Sequence, residues 1–390
     1  MAVLAAAPLP PAEAQFRDDF DALTLATDRS GLDGWSAFAG DGDATITLRQ
    51  PHPGHASIVV DASRDRRNVW WALIKRKVSD RLDLHQLGED GFELRIEARI
   101  RVSHAPRRVN LHLNTRRTTD FHSHLMEFDI PETGTWHTIS LTTRGFEARA
   151  GDTVFAQLAL MDWGRGSYQV DVDYFHVAVV DPARAGPDAG AAVPYHPPVP
   201  DVGTFRRSAP ASHAAIVDRA NPRVNLDDWY IADSGGRRRV LTVNGSQFVI
   251  LRFDLAALAG RRATGGGLLE LTSQSVQRAA GEISDFGIVR VVEILGGDPA
   301  WDQASVTLES FCRGEPLDRV LSPQMIIDWP VTEGDGGKTY FTISRPVLQR
   351  MLDGRTLGLA IRPLGAISAS FYTTGHADEA FRPRLLLNVE

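Results

Sequence analysis

The side chains best suited to chemistry lie close together in this sequence, between positions 109 and 130. Three histidines and two asparagines fall within fifteen residues there, and Arg116, Glu127 and Asp129 accompany them. Imidazole exchanges protons near neutral pH, guanidinium and amide groups bind carboxylates, and carboxyl groups act as acids or bases. The candidate site residues of this segment are Asn110, His112, Asn114, Arg116, His122, His124, Glu127 and Asp129.

A β-hairpin would position these side chains. Apolar and polar residues alternate along 109–116 and again along 125–130, so the polar residues of both strands share the face turned away from the core. His122 and His124 have the parity of the core, and they reach the polar face only through a bulge or from within the turn.

One chemistry that fits this face is cleavage of a uronic-acid polymer by β-elimination. Arg116 and Asn114 would neutralise the uronate carboxylate. His112 or His124 would remove the adjacent proton, and Tyr168 or Tyr174 would protonate the leaving oxygen. The set is similar to that of β-sandwich polysaccharide lyases, although the RTELR-like and QIH-like strings of those families are absent.

Two other chemistries remain open. Glycoside hydrolysis needs two carboxyl groups about 5 to 10 Å apart, and Glu127 and Asp129 would lie about 7 Å apart on one strand face. A zinc or other transition-metal site could use His112, His122 and His124 together with one of these carboxylates.

Aromatic and basic side chains add a binding function to the prediction. Trp70 and Trp71 precede Lys75, and Trp136 and Trp163 follow further along the chain. Their indoles could stack on sugar rings, with cationic neighbours for acidic groups. Strand alternation places one of the adjacent pair, Trp70 or Trp71, in the core.

The strand pattern predicts an all-β protein with two jelly-roll-like β-sandwiches. Residues 92–102 alternate strictly between apolar and charged side chains, and short strands recur on both sides of a Pro-, Ala- and Gly-rich stretch. Turn residues separate these strands at the spacing typical of sandwiches. We predict a signal remnant or disordered arm at 1–15, the first sandwich with the site at 16–181, a linker at 182–203 and the second sandwich at 204–390.

The second half resembles the DNRLRE-type domains, which overlap the family-96 carbohydrate-binding modules. The likeness is carried by residues 251–255, the segment AWDQASVT at 300–307, and residues 341–344, 357–360, 370–372 and 383–386. It implies a sandwich that supports a neighbouring domain or itself holds polysaccharide.

The first half looks like the jelly-roll carbohydrate-binding or catalytic domains of the same group of proteins, through residues 134–140 and 170–175. In such modules an acidic residue of the final strand joins an N-terminal acid around calcium. The resemblance therefore implies structural calcium held by Asp173 with Asp21 or Asp19, and hard oxygen ligands suit that ion. Elimination itself requires no cofactor.

Composition excludes several classes of protein. The 42 Lys and Arg against 49 Asp and Glu leave a net charge of −7, which argues against a nucleic-acid partner. No apolar run is long enough to insert into a membrane, and a single cysteine excludes an internal disulfide. Walker, dinucleotide-binding, G-x-S-x-G and H-E-x-x-H motifs are absent.

The opening residues favour export. They are apolar and rich in Ala and Pro, and they contain Ala12-Glu13-Ala14, the small-x-small pattern that signal peptidase cuts. The leading prediction is thus a secreted or periplasmic bacterial polysaccharide lyase acting on an acidic polysaccharide. The alternatives are a non-catalytic tandem carbohydrate-binding protein and a glycoside hydrolase.

Overall fold

The computed structural model divides the chain into two compact units, residues 1–195 and 196–390. It describes residues 15–21, 34–66, 70–162, 164–195, 197–233, 236–278 and 287–390. The predicted signal remnant lies outside the described residues except for its last residue, Gln15.

The described part of the first unit consists of β-strands and one short helix, α1 (Pro182–Ala185). The strands are β1 (Phe16–Asp18), β2 (Trp35–Gly40), β3 (Thr45–His52), β4 (His55–Asp61), β5 (Trp70–Lys77), β6 (Glu93–Val102), β7 (Arg107–Thr115), β8 (Leu125–Ile130), β9 (His137–Thr142), β10 (Val154–Asp162), β11 (Ser167–Val180) and β12 (Ala192–Val193).

These strands form two antiparallel sheets that enclose one core. Sheet I has the order β3-β4-β11-β6-β9, with β1 paired to β11, and sheet II has the order β12-β8-β7-β10-β5-β2. Leu94 and Ile96 of sheet I belong to the same buried cluster as Val109 and Leu111 of sheet II. The predicted β-sandwich is confirmed.

Strand β6 differs from the prediction on its polar face. Its apolar residues are buried as expected, but Arg95 and Glu97 on the other side are also fully buried. The guanidinium of Arg95 donates to the backbone carbonyls of Ala185, Gly186 and Pro187. The chain that follows β11 therefore covers this part of sheet I.

That covering segment is the first part of the predicted linker, 182–203. Instead of running free, it forms α1 and then β12, which pairs with β8. The carboxylate of Asp188 accepts from the backbone amide and the hydroxyl of Thr142 on β9. Backbone pairing and these side-chain bonds outweigh the linker-like composition, and the first unit extends to residue 195.

The second unit has the strands β13 (Arg207–Asp218), β14 (Tyr230–Asp233), β15 (Gly236–Val243), β16 (Gln247–Phe253), β17 (Gly267–Arg278), β18 (Gly287–Ile294), β19 (Leu321–Trp329), β20 (Lys338–Ile343), β21 (Gly358–Gly365), β22 (Ile367–Tyr372) and β23 (Arg384–Leu387). Its helices in the described residues are α2 (Leu308–Cys312), α3 (Leu317–Val320) and α4 (Arg345–Leu352).

One continuous antiparallel sheet in the order β14-β15-β22-β17-β23-β13-β16-β21-β18-β19, with β20 paired to β17, builds this unit. Strand β13 pairs with β23 in its first part and with β16 in its second. Val249 of β16, Leu269 of β17 and Phe371 of β22 share one buried cluster. The sheet thus encloses its own core, as in a sandwich.

No helix in the described ranges combines the length and the apolar character needed to cross a bilayer.

Candidate functional site

The hairpin of β7 and β8 presents the predicted polar residues on one side of sheet II. Val109, Leu111 and Leu113 are fully buried in the core. Successive side chains of a strand point to opposite faces, so Asn110 and His112 lie on the side turned away from the core, as predicted. We call that side the outer face of sheet II.

Strand register shows which side chains share this face. His112 of β7 lies opposite Gln157 of β10, which in turn lies opposite Lys75 of β5. In the neighbouring row Phe155 lies opposite Asn114. Because adjacent strands are about 4.8 Å apart, these groups form one surface across three strands.

Gln157 joins two of the predicted site residues. Its amide donates to Oδ1 of Asn114 over 2.8 Å and lies 3.2 Å from Nδ1 of His112. An amide nitrogen only donates, so Nδ1 accepts and the neutral imidazole carries its proton on Nε2. Burial, followed by the charges of His122 and His124, lowers the pKa of His112 to about 4. His112 is therefore neutral at pH 7.

Lys75 lies between two phenyl rings on the outer face. Its Nζ is 4.6 Å from the ring centroid of Phe38 and 4.7 Å from that of Phe155. Phe38 belongs to the edge strand β2 and is 42% exposed. In the described chain no carboxylate lies within ion-pair distance of Lys75, so the ring faces are what stabilises its charge.

Trp71 extends this surface to the edge of the sheet. It is half-buried and lies opposite Gly40 of β2 in the strand register. A Cβ atom built on Gly40 would come within 2.3 Å of Cζ2 of Trp71. The indole therefore lies directly against the backbone of β2, in space that only glycine leaves open.

Two other predicted residues, Trp70 and Tyr168, lie inside the sandwich. Trp70 is 1% exposed, donates from Nε1 to the carbonyl of Gly164 and packs against Tyr168, with 5.9 Å between ring centroids. Trp70 has the core parity of its strand neighbours Ala72 and Ile74. The predictions that Trp70 stacks on sugar and that Tyr168 acts as the acid beside His112 are therefore wrong.

Arg116 follows β7 and is held by a structural carboxylate. Its Nε donates to Asp152 over 2.7 Å, and Nε of Arg117 donates to the other oxygen of the same group. The hydrogen bond from Arg117 lowers the pKa of Asp152 to about 2. Nε of Arg116 is thus bound to Asp152, although the side chain remains 70% exposed.

The three histidines have separate surroundings. His122 stacks on Tyr195 at 4.2 Å, whereas His124 meets Phe146 edge-on at 4.9 Å. Burial lowers the pKa of His124. No group of three or more His, Cys, Asp or Glu side chains in the described ranges is arranged to hold a metal ion. The predicted histidine metal site is not assembled.

Glu127 and Asp129 share the outer face with His112 but are only 3% and 5% exposed. Nη1 of Arg108 donates to Glu127 over 2.9 Å, and Arg108 lies opposite Asp129 in the register. Asn110, opposite Glu127, is also buried. This end of the face is a buried ion pair, and the predicted roles of these three residues in binding or hydrolysis do not fit it.

The remaining predicted residues lie elsewhere. Asp173 accepts from Nη1 of Arg99 over 2.6 Å, and the alternative calcium ligand Asp19 lies 3.1 Å from Nε2 of His176. Asp21 is exposed and is not part of a metal-binding group in the described residues. Trp136 packs on sheet I, beside Arg101 and Arg99, and Trp163 lies outside the described residues.

Three residues of the outer face were missed by sequence reasoning: Phe38, Phe155 and Gln157. Phe155 and Gln157 alternate with buried residues of β10, and Phe38 lies in an edge strand between two alanines, but none of the three stands in a polar cluster along the chain. The sequence did indicate the position of Trp71. It is four residues from Lys75 in the same strand, so both side chains point to the same face, and a lysine is expected on the solvent side.

No protein-family model matches the chain, and no curated protein matches it. Among solved structures, the chain is similar to a carbohydrate-binding module of the β-sandwich superfamily, at 12% identity and a TM-score of 0.26, over 40% of this chain and 61% of that one. The CBM22-1 xylan-binding domain of Paenibacillus barcinonensis Xyn10C matches at 12% identity and a TM-score of 0.27, over 44% of this chain and 96% of that one.

The tandem CBM22-1–CBM22-2 domain of the same protein matches at 11% identity and a TM-score of 0.27, over 100% of this chain and 99% of that one. At TM-scores this low the likeness does not identify a function for this chain.

Proposed function

We propose that the first unit is a non-catalytic carbohydrate-binding domain that holds polysaccharide on the outer face of sheet II. The observation that carries the proposal is the row of half-buried and exposed rings of Trp71, Phe38 and Phe155 beside the half-buried amide of Asn114. Gln157 is only 5% exposed, and it positions this amide by donating to its Oδ1. The apolar faces of sugar rings stack on aromatic side chains, and their hydroxyls exchange hydrogen bonds with amides.

The dimensions of the face suit a chain rather than a single sugar. From Phe38 on β2 to Asn114 on β7 the surface crosses β5 and β10, a distance of about 14 Å at the usual strand spacing. The rings lie on β2, β5 and β10, and the amide of Asn114 lies beyond them on β7. A polysaccharide lying across the strands would contact both ends.

Lys75 makes an acidic polysaccharide the favoured ligand. Its ammonium group lies between Phe38 and Phe155 without a carboxylate partner in the described residues. A uronate carboxylate would supply that partner, and a charge-assisted hydrogen bond is stronger than a neutral one.

β-Elimination, the leading prediction from the sequence, fits this face less well than binding does. A general base is most effective when its pKa lies near the operating pH, and the pKa of His112 is about 4. Tyr168 lies in the core and Arg116 is bound to Asp152. The base is weak, the acid lies in the core and not on the outer face, and Nε of the carboxylate clamp is engaged by Asp152.

We also propose that the protein acts outside the cytoplasm, where polysaccharide is accessible. The small-x-small motif at Ala12-Glu13-Ala14 supports export.

Affinity electrophoresis tests the binding proposal. Gels containing polygalacturonate, alginate, xylan or mixed-linkage β-glucan should retard the protein, with the uronate polymers most effective. Trp71→Ala should weaken retention at least about tenfold, because central aromatic side chains dominate such interfaces. The matched control is Trp229→Ala, which removes an indole that is 41% exposed in the second unit.

Retention that Trp71→Ala leaves intact, or that Trp229→Ala reduces equally, contradicts the assignment to sheet II. Elimination is checked in the same polymers by ultraviolet absorbance, since it alone creates a conjugated double bond. A rising absorbance would show that the unit is a lyase and not only a binding domain.

A further inference from the structure

A separate cavity opens on the outer face of sheet I, the side of that sheet turned away from the core. It measures about 300 Å³ and its lining includes Arg101, Ser103, Thr133, Gln169 and Asp171. Pockets for small ligands begin at about this volume. Polar side chains of β6 and β11 therefore form a recess on the opposite side of the sandwich from the proposed polysaccharide face.

Asp171 is the centre of the hydrogen bonding in this recess. It accepts from Nη2 of Arg101 over 2.7 Å, from Oγ of Ser57 over 2.7 Å and from the amide of Gln169 over 2.5 Å. Burial alone would raise the pKa of Asp171, but these hydrogen bonds outweigh burial and lower it. The carboxylate is ionised, and with Arg101 it forms a pair without net charge.

Trp136 borders the recess through Arg101. The guanidinium of Arg101 lies 4.6 Å from the indole centroid, and that of Arg99 lies 5.5 Å from it. Trp136 remains half-buried. The recess thus combines a neutral Arg–Asp pair and a side-chain amide, and the indole of Trp136 lies next to it, in contact with the guanidinium of Arg101.

We propose that this cavity is a second carbohydrate site, which binds one or two neutral sugar residues. Asp171 is 6% exposed and its carboxylate already accepts from Ser57, Gln169 and Arg101, so its role is to position the donors around it. A guanidinium has five N–H donors, of which Asp171 takes those on Nε and Nη2 of Arg101, and the side-chain carbonyl of Gln169 and the hydroxyl of Thr133 offer acceptors. Vicinal sugar hydroxyls need both donors and acceptors. An anionic ligand would be repelled by Asp171 and a cationic ligand by Arg101. The cavity volume accommodates a short saccharide or a chain end, in contrast to the extended surface of sheet II.

The two sites are independent because the sandwich separates them. Paired sheets lie about 10 Å apart, and the layer between them is the packed core of this unit. A short saccharide cannot touch both faces. The inference therefore does not rest on the proposed role of sheet II.

The test uses nuclear magnetic resonance of the full chain. The probes are neutral methyl glycosides and disaccharides of glucose, xylose, galactose and mannose. The indole N–H signal of Trp136, identified by its loss in Trp136→Phe, should shift in a saturable manner with at least one probe. Thr133→Trp should abolish the shift, because Thr133 is exposed and lines the recess, where an indole would fill it.

Thr135→Trp is the matched control, since it makes the same change at an exposed position outside the cavity lining, and the shift should persist. Gln169→Leu removes the amide with little change of shape and should weaken binding at least about tenfold. No saturable shift with any probe, or a shift that survives both Thr133→Trp and Gln169→Leu, overturns the proposal.

Trp71→Ala distinguishes the two sites. Loss of polysaccharide retention with an unchanged disaccharide shift at Trp136 supports both proposals. A shift at Trp136 without any polysaccharide retention supports this inference alone, and retention without a shift at Trp136 supports only the role of sheet II.

Discussion

The two outer faces of the first unit differ in how they stabilise their cations. On sheet I, Arg99 pairs with Asp173 at 2.6 Å and Arg101 with Asp171 at 2.7 Å. On sheet II, Lys75 lies between two phenyl rings instead. An arginine held by a carboxylate offers donors and acceptors with little net charge, whereas a lysine over rings keeps its charge available. Similar strands thus build two faces of different charge, which is the basis for proposing a neutral ligand on one and an acidic ligand on the other.

The largest effect on stability is expected at the buried ion pair of sheet II, where a carboxylate stabilises the cation as it does on sheet I. This pair is Arg108 and Glu127, whose side chains are each 4% exposed. Arg108→Met leaves a buried carboxylate without that guanidinium and should lower the free energy of unfolding by about 3 to 5 kcal/mol. Urea denaturation measures this. Arg66→Met is the control, because Arg66 is 85% exposed in its pair with Asp43, and its loss should leave the free energy of unfolding almost unchanged.

Unchanged stability in Arg108→Met would show that Glu127 does not depend on the pair. The carboxylate would then return as a candidate for hydrolysis.

Acid should destabilise the protein through His112. Its pKa is 6.5 in the unfolded chain and about 4 in the folded protein. The unfolded state therefore binds the proton first as pH falls, and stability is lost between about pH 6.5 and pH 4. The loss should reach about 3 kcal/mol. The contribution of His112 is the difference between the pH dependence of the free energy of unfolding in the unaltered protein and in His112→Gln. Identical pH profiles for the two proteins would mean that His112 has the same pKa folded and unfolded.

Lys75→Met sharpens the contrast between acidic and neutral ligands. The substitution removes the charge but keeps an unbranched side chain between the rings. Affinity for polygalacturonate or alginate should fall about fivefold, or about 1 kcal/mol, and affinity for xylan should stay the same. Calorimetry at two salt concentrations measures both. An equal loss for xylan would show that Lys75 acts by packing and not by charge.

The smallest effect is expected at Gly40. In Gly40→Ala the new methyl group would meet the indole of Trp71, which has to shift. Affinity for polysaccharide should fall about two- to threefold, or about 0.5 kcal/mol. Gly88→Ala is the control, because a Cβ atom there meets nothing within 4 Å. If both variants bind alike, the position of Trp71 does not matter for binding.

The sandwich fold and the polarity of each strand could be predicted from the sequence. Strand β8 spans the predicted residues 125–130, and the predicted core residues of β7 are buried. The burial of Arg95 could not be predicted, since it depends on carbonyl groups 90 to 92 residues further along the chain. The same holds for Tyr168, whose polar hydroxyl does not reveal that its ring packs between two sheets.

Alternation along the chain determined by itself which side of each strand faces the core, because a side chain's direction depends on the local backbone. The partners on the solvent side were decided only by tertiary structure. Gln157 meets His112 across 45 residues of sequence, and Lys75 meets Phe38 and Phe155 from two other strands. Strand order and register bring such residues together, and hydrogen-bonded ladders between distant segments set both.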